Sequence, residues 1–325
     1  MMKILAIKAP IKGNPVLPKS AADPAHQQGN VNRAETELKR RFRLITKDLR
    51  QLIDSQKQFR SIATNAFTYD YEISPERYES INSFIERILN RYLLDSEYGQ
   101  FNSNWFLRGK LKRSFDDGLA DTLRSAQNMA TVENVGVELS AAMKSIDIEQ
   151  VYSVSMINRL GLVYSRVFNE MKGLTDSLKV DLAETLTESM ARGLGIRAIA
   201  KNIVERTKVG YSRAMRIART EILTAYRTAT RAETKDLNEN VYGESDYQMQ
   251  LLWFSALTST TRKWHASKHG SIVTAKQIED FYSERGNAIN CYCSQSPILV
   301  NVKTGESLQT DLIERMKKQK EAWQG

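Results

Sequence analysis

The chain has very little cysteine, two residues in 325. Two thiols cannot staple a chain of this length, so no disulfide framework holds the fold, and a reducing compartment is the expected site of synthesis. Proline is nearly as scarce: of six, four (Pro10, Pro15, Pro18 and Pro24) fall in the first 24 residues, where no hydrophobic period accompanies them. Residues 1–31 therefore read as an extended arm, either mobile or ordered only against a partner. Long apolar runs are missing too. The run Ile4 to Ile7 is broken by Lys8 and is too short for the core of a signal peptide. No stretch reaches membrane-spanning length, so the expectation is a soluble protein with no membrane partner, not exported by the usual route. The short catalytic motifs are lacking as well. There is no G-x4-G-K-[ST] loop, no G-x-S-x-G elbow and no H-E-x-x-H, and Gly193-Leu194-Gly195 is too short to make a nucleotide fingerprint. The sequence points to no enzyme.

What is present starts with charge. The net charge is +9 and the pI about 9.4, a balance that favours acidic partners: nucleic acid, an acidic protein surface or anionic lipid. A hydrophobic fraction of 41% suffices for a real core. From about Asn32 the apolar residues take helical spacing, with Leu38, Phe42, Ile45, Leu49, Leu52 and Ile53 on one stripe. Further helices read over 74–94, with Ser74 as N-cap and Pro75 in the first position, over 104–128, over 135–145 and from about Ser155 to Arg192. Gly193 suits a left-handed helix stop. The stretch after Tyr211 carries Met215, Ala218, Ile222, Ala225 and Ala229 on one stripe, with Arg213, Arg216, Arg227 and Arg231 largely outside it. Those arginines read as a solvated face or as contacts to phosphate or an acidic surface. At about Asn240 the pattern changes to strand, short helix and strand. The reading is a mainly α protein, a long helical body with a small C-terminal α+β module: arm 1–31, helical domain 32–239, module 240–303, and a final helix or tail 304–325.

The module holds both cysteines and two of the three histidines. His265 and His269 are spaced i, i+4 and would share a helix face, while Cys291 and Cys293 are spaced i, i+2 and would share a strand face. Two imidazoles and two thiolates make a complete tetrahedral set for a closed, structural zinc site. Buried thiols beside a histidine hydrogen-bonded in a loop fit the same residues, and both readings stand at this point. Glu221 and Asp280 are isolated acids that read as surface charges.

Taken in order, "IARTEILTAYRTAT", a Trp-containing strand, "TRKWHASKHG" and "NCYC" before a last strand resemble the head-morphogenesis minor capsid proteins of tailed phages, the Mu F-like family, over about residues 150–303. Arg219, Thr220 and Glu221 match its Arg-Thr-Glu. Trp253, Thr261, Arg262, His265 and Gly270 match its central segment, and Cys291 and Cys293 its Cys-Arg-Cys, with Tyr292 in place of the arginine. The resemblance implies a virion component made in the host bacterial cytoplasm and acting inside the head near the portal, in assembly, DNA packaging or DNA ejection. It implies the portal protein and the major capsid protein or scaffold as partners. The net charge adds packaged DNA, bound without sequence preference. The competing readings are a metal-dependent nuclease using His265 and His269, and a zinc-containing DNA-binding protein.

Overall fold

The computed structural model describes residues 13–56, 58–63, 66–71, 74–95, 104–132, 135–146, 154–243, 245–284 and 286–324. The first part of the arm, residues 1–12, lies outside them. The chain is mainly α and divides into two compact units, one of residues 32–109 and 164–218, the other of residues 1–31, 110–163 and 219–325. The chain passes from one unit to the other at 31/32, whereas 239/240 and 303/304 both fall inside the unit that also holds the arm and part of the helical stretch.

The first unit takes most of helix α1 (Gln28–Asp54), strands β1 (Gln58–Ala63) and β2 (Ala66–Tyr71), and helix α2 (Pro75–Leu89). The Ser74 side chain accepts from the Arg77 N–H and Pro75 stands at the helix start, as the sequence requires. A π-helical turn, Asn90–Leu94, closes α2. The antiparallel β1–β2 pair has no counterpart in the sequence reading. In this unit Arg41 is buried: it bonds Glu37, the Tyr92 carbonyl and Asp95, and lies 4.6 Å over the Trp105 ring.

The second unit is built on helix α3 (Lys112–Met129), the short α4 (Val137–Lys144) and the beginning of α5 (Val154–Ala191). The later part of α6 (Ile196–Leu237) completes the helical part. Gly193, at φ 65, ends the stretch before α6, in the left-handed conformation expected of it. Gly118 of α3 sits so close to α6 that a Cβ there would come within 2.4 Å of the Tyr226 carbonyl oxygen. A small antiparallel sheet follows, in the order β4-β3-β5: β3 (Tyr247–Phe254) pairs with β5 (Ser294–Asn301) along its whole length and with the two-residue β4 (Ile272–Val273). Helices α7 (Lys263–Ala266) and α8 (Ala275–Ser283) lie between β3 and β5 in sequence, and α9 (Thr310–Glu321) ends the unit.

The strand period of two distributes β3 between two cores. Leu252 and Phe254 pack with Ile298, Val300, Leu312 and Met316, the last two from α9. Leu251 and Trp253 pack with Ile278 of α8, Cys291 and Cys293. The arm is part of this unit from Gly13 on. The Val16 N–H donates to Ser125 Oγ, the Ser296 hydroxyl donates to the Val16 carbonyl, the Gln309 amide donates to the Gly13 carbonyl, and Ala25 is fully buried. Residues 13–31 are therefore held by their own chain, where the sequence suggested a mobile or partner-ordered arm. Among the described residues no helix is long and apolar enough to cross a membrane.

Candidate metal centre

Three of the four expected ligands come together. His265, Cys291 and Cys293 are buried, and their ligand atoms all lie within 4.8 Å of one another. His265 Nδ1 is the nitrogen turned toward both sulfurs, 3.3 Å from Cys291 Sγ and 3.7 Å from Cys293 Sγ. Local structure explains the convergence. α7 is only four residues long and presents His265 on its inner side. Asn290 takes a positive φ of 52, turning the chain into the Cys-x-Cys segment just before β5. Cys291 and Cys293, two apart, both reach the Trp253 face of the sheet. Both thiols are free.

His269 is not part of the group. α7 ends at Ala266 and Gly270 follows at φ 78, so the i, i+4 spacing never lies on one helical face. Its Nδ1 accepts from the Ser255 N–H at 3.1 Å, and its Nε2 faces Gln319 Oε1 of α9 at 3.2 Å. Burial, first, lowers its pKa below the usual imidazole value. With both nitrogens occupied, His269 ties the end of β3 to α9. The two-histidine metal pair required by the nuclease reading is accordingly not assembled among the described residues.

Charge at the centre comes from Arg227, which the sequence placed on an outer face of α6. It is 1% exposed. Its Nη1 donates to the Cys291 carbonyl, the Cys293 carbonyl and the Tyr282 hydroxyl, each at 3.2 Å, and its guanidinium lies 4.3 Å over the Tyr282 ring. Tyr282 Oη in turn lies 3.6 Å from Cys291 Sγ. A buried guanidinium stays protonated, and here its polar contacts are carbonyls and hydroxyls. The sulfurs are the nearby groups able to balance it. The contact with the Cys293 thiol pulls Cys291 well below the usual thiol range, with His265 and Arg227 acting the same way. The same contact pushes Cys293 up.

The remaining motif residues brace this centre. Thr220 Oγ1 accepts from the Asn290 N–H at 3.2 Å, and Arg219 reaches Asn290 Oδ1 at 3.4 Å and lies 5.7 Å over the Tyr292 ring. Tyr292 packs beside Ala25, Leu223 and Tyr226. Trp253 stacks on Tyr282 at 5.5 Å and meets Phe281 edge-on at 5.0 Å. Thr261 Oγ1 accepts from the Thr258 N–H. Arg262 forks onto the carbonyls of Asn287, Gly286 and Ile289 and onto His265 Nε2. At Gly270 a Cβ would lie 3.1 Å from Met316 of α9. Glu221 is buried, not the surface charge expected, whereas Asp280 is exposed and paired with Lys276. Of the four arginines expected to meet phosphate or acidic surfaces, Arg213 and Arg216 are exposed. Arg231 is largely covered, its Nε 3.8 Å from Glu279, and Arg227 belongs to the centre.

Residues 180–296 match the family described as Phage Mu protein F like protein. This Mu F-like segment covers somewhat over a third of the chain, from the last turns of α5 into β5. It is the family that the motif order in the sequence resembles, and it contains all three converging ligands, both bracing arginines and Trp253. No curated protein and no solved structure matches the chain.

Proposed function

We propose that the protein is a structural component of a tailed-phage head, acting in head morphogenesis. It is placed inside the capsid near the portal, where it serves assembly, packaging or ejection of the genome. The match of residues 180–296 to the Phage Mu F-like family carries this reading. The disposition of the motif residues supports it: Arg219, Thr220, Trp253 and Arg262 are spent on internal bonds and packing of the module. The partners are the portal protein and the major capsid protein or scaffold, and the net charge of +9 suits non-specific contact with packaged DNA. The test is composition of purified heads by mass spectrometry. The protein is expected in heads and in portal pull-downs from infected cells, and its absence from both refutes the virion reading.

Within that role His265, Cys291 and Cys293 hold a structural zinc ion. Two thiols and one imidazole, buried and turned toward one another, are the donor chemistry zinc prefers, and bound zinc would cross-link α7 to the segment entering β5. Purified protein should contain close to one zinc per chain, and Cys291→Ser with Cys293→Ser should abolish it. Metal-free protein that gains no stability on zinc addition would remove zinc from the account and leave the head assignment standing.

A further inference from the structure

Arg262 is set against the metal that the neighbouring residues are suited to hold. Its Nη1 lies 3.0 Å from His265 Nε2. A guanidinium only donates, so Nε2 accepts, and the ring carries its single proton on Nδ1. Nδ1–H then points at the two sulfurs, 3.3 and 3.7 Å away. A metal held by all three residues would take that same Nδ1 as ligand. The ring proton would then reside on Nε2, leaving two donors, Nε2–H and Nη1–H, facing each other. Ligating histidines ordinarily turn their second nitrogen to an acceptor, a carboxylate, carbonyl or water, and an arginine has the opposite polarity.

We infer that Arg262 competes with metal for His265: the site fills only when the Arg262–His265 hydrogen bond breaks, so Arg262 sets its affinity. This rests on the metal reading above. Nothing is lost from the proton balance of the ring, which gives one proton from Nδ1 to solvent and takes one at Nε2. The displaced guanidinium keeps a berth, because it already donates to the Asn287 carbonyl at 3.1 Å, to the Gly286 carbonyl at 3.4 Å and to the Ile289 carbonyl. Those carbonyls belong to the turn that also binds Trp264, whose indole N–H donates to Asn287 Oδ1 at 3.0 Å. Filling of the site is thereby relayed to a surface turn bearing the exposed Trp264 and Ile289.

The experiment is long-range proton–nitrogen NMR of the full chain labelled at histidine, of which there are three, before and after one equivalent of zinc chloride. Metal-free protein should show His265 protonated at Nδ1, and zinc-loaded protein should show it protonated at Nε2. An Nε2–H ring in metal-free protein overturns the inference, as does a loaded ring whose Nε2 bears no proton. If zinc produces no change at His265, the metal reading falls and the inference with it. Two variants give an independent readout. Arg262→Gln offers an amide oxygen to Nε2–H and should bind zinc about tenfold more tightly than the parent, within the range of second-sphere effects. Arg262→Lys, still a donor, should bind no more tightly. Equal weakening in both would overturn the competition and leave Arg262 as a brace. If either variant fails to fold, the spectra of the parent chain still decide.

Discussion

Arg227 shows how far one residue's role can depart from its helical position. It lies about 140° round α6 from Ile222 at 100° per residue, opposite the apolar stripe, yet it is 1% exposed. Replacing it with Met removes the charge and leaves the Cys291 and Cys293 carbonyls and the Tyr282 hydroxyl short of a donor. The expected loss is about 3 kcal/mol, read from urea unfolding. Arg227→Lys should recover little of it, since one ammonium cannot reproduce the fork. Arg213→Ala, at an exposed position, should change stability by less than about 0.5 kcal/mol. Glu233 gives a pH-dependent counterpart. Burial, then the charge of Asp236, lifts its pKa from 4.5 to about 7, with Arg159 opposing. The folded state therefore holds a proton that the unfolded state releases at about 4.5. The stabilisation is complete below that pH and is lost as pH rises through about 7. Glu233→Gln should flatten the fall between those limits and leave the variant more stable than the parent above pH 7, by about 1–2 kcal/mol after solvent screening. Parallel unfolding curves for the two proteins across that window would contradict the buried-carboxyl account.

At the scale of elements, α6 explains both what the sequence revealed and what it hid. The start of α6 after Gly193, the N-cap of α2 and the strand–helix–strand order of the C-terminal module were legible, because each rests on local periodicity or a capping residue. The stripe argument then left the other side of α6 to solvent or to an outside acidic partner, which holds only for a helix with one packing partner in its own chain. Between Thr220 and Thr234 α6 has two: α3 approaches at Gly118 and Ser114, whose hydroxyl donates to the Ile222 carbonyl, and the Cys-x-Cys segment binds Arg227. Second partners come from distant sequence and leave no period. The same limit hid the β1–β2 pair, which docks beside Gly193 and Gly195 through the Tyr69 N–H donating to the Gly193 carbonyl and the Tyr71 hydroxyl donating to the Leu194 carbonyl. In the site, Cys291 and Cys293 were read correctly as sharing a face, while His265 and His269 were not, since the length of α7 is not written in the spacing of two histidines. The α3–α6 crossing yields a test. Gly118→Ala puts a methyl 2.4 Å from a backbone oxygen that cannot rotate away, so the helices must separate. Despite the gain in helix propensity, the variant should lose about 1–3 kcal/mol, measured by chemical denaturation.

At the scale of the whole molecule, the arm is one of three segments, distant in sequence, that fold together. Residues 1–31, 110–163 and 219–325 form one unit, so the N-terminal and C-terminal ends of the described chain stabilise each other. The arm's bonds reach α3 through Ser125, β5 through Ser296 and the start of α9 through Gln309, and Leu17 packs against the Leu252–Phe254 face of the sheet. Asp23 accepts from the N–H groups of Gln27 and Gln28 and so caps the start of α1. A free tether could be removed without cost to the fold; this segment cannot. Deleting residues 1–31 should lower the thermal midpoint by several degrees or more, because each kcal/mol lost shifts a unit of this size by roughly 2–4 °C and more than one contact is lost. Asp23→Ala alone should cost about 1 kcal/mol through the cap. A truncated chain that melts with the parent would return the arm to the role of a loose tether. One that melts early, while point substitutions at Leu17 and Ser125 reproduce part of the loss, would establish it as a structural strap.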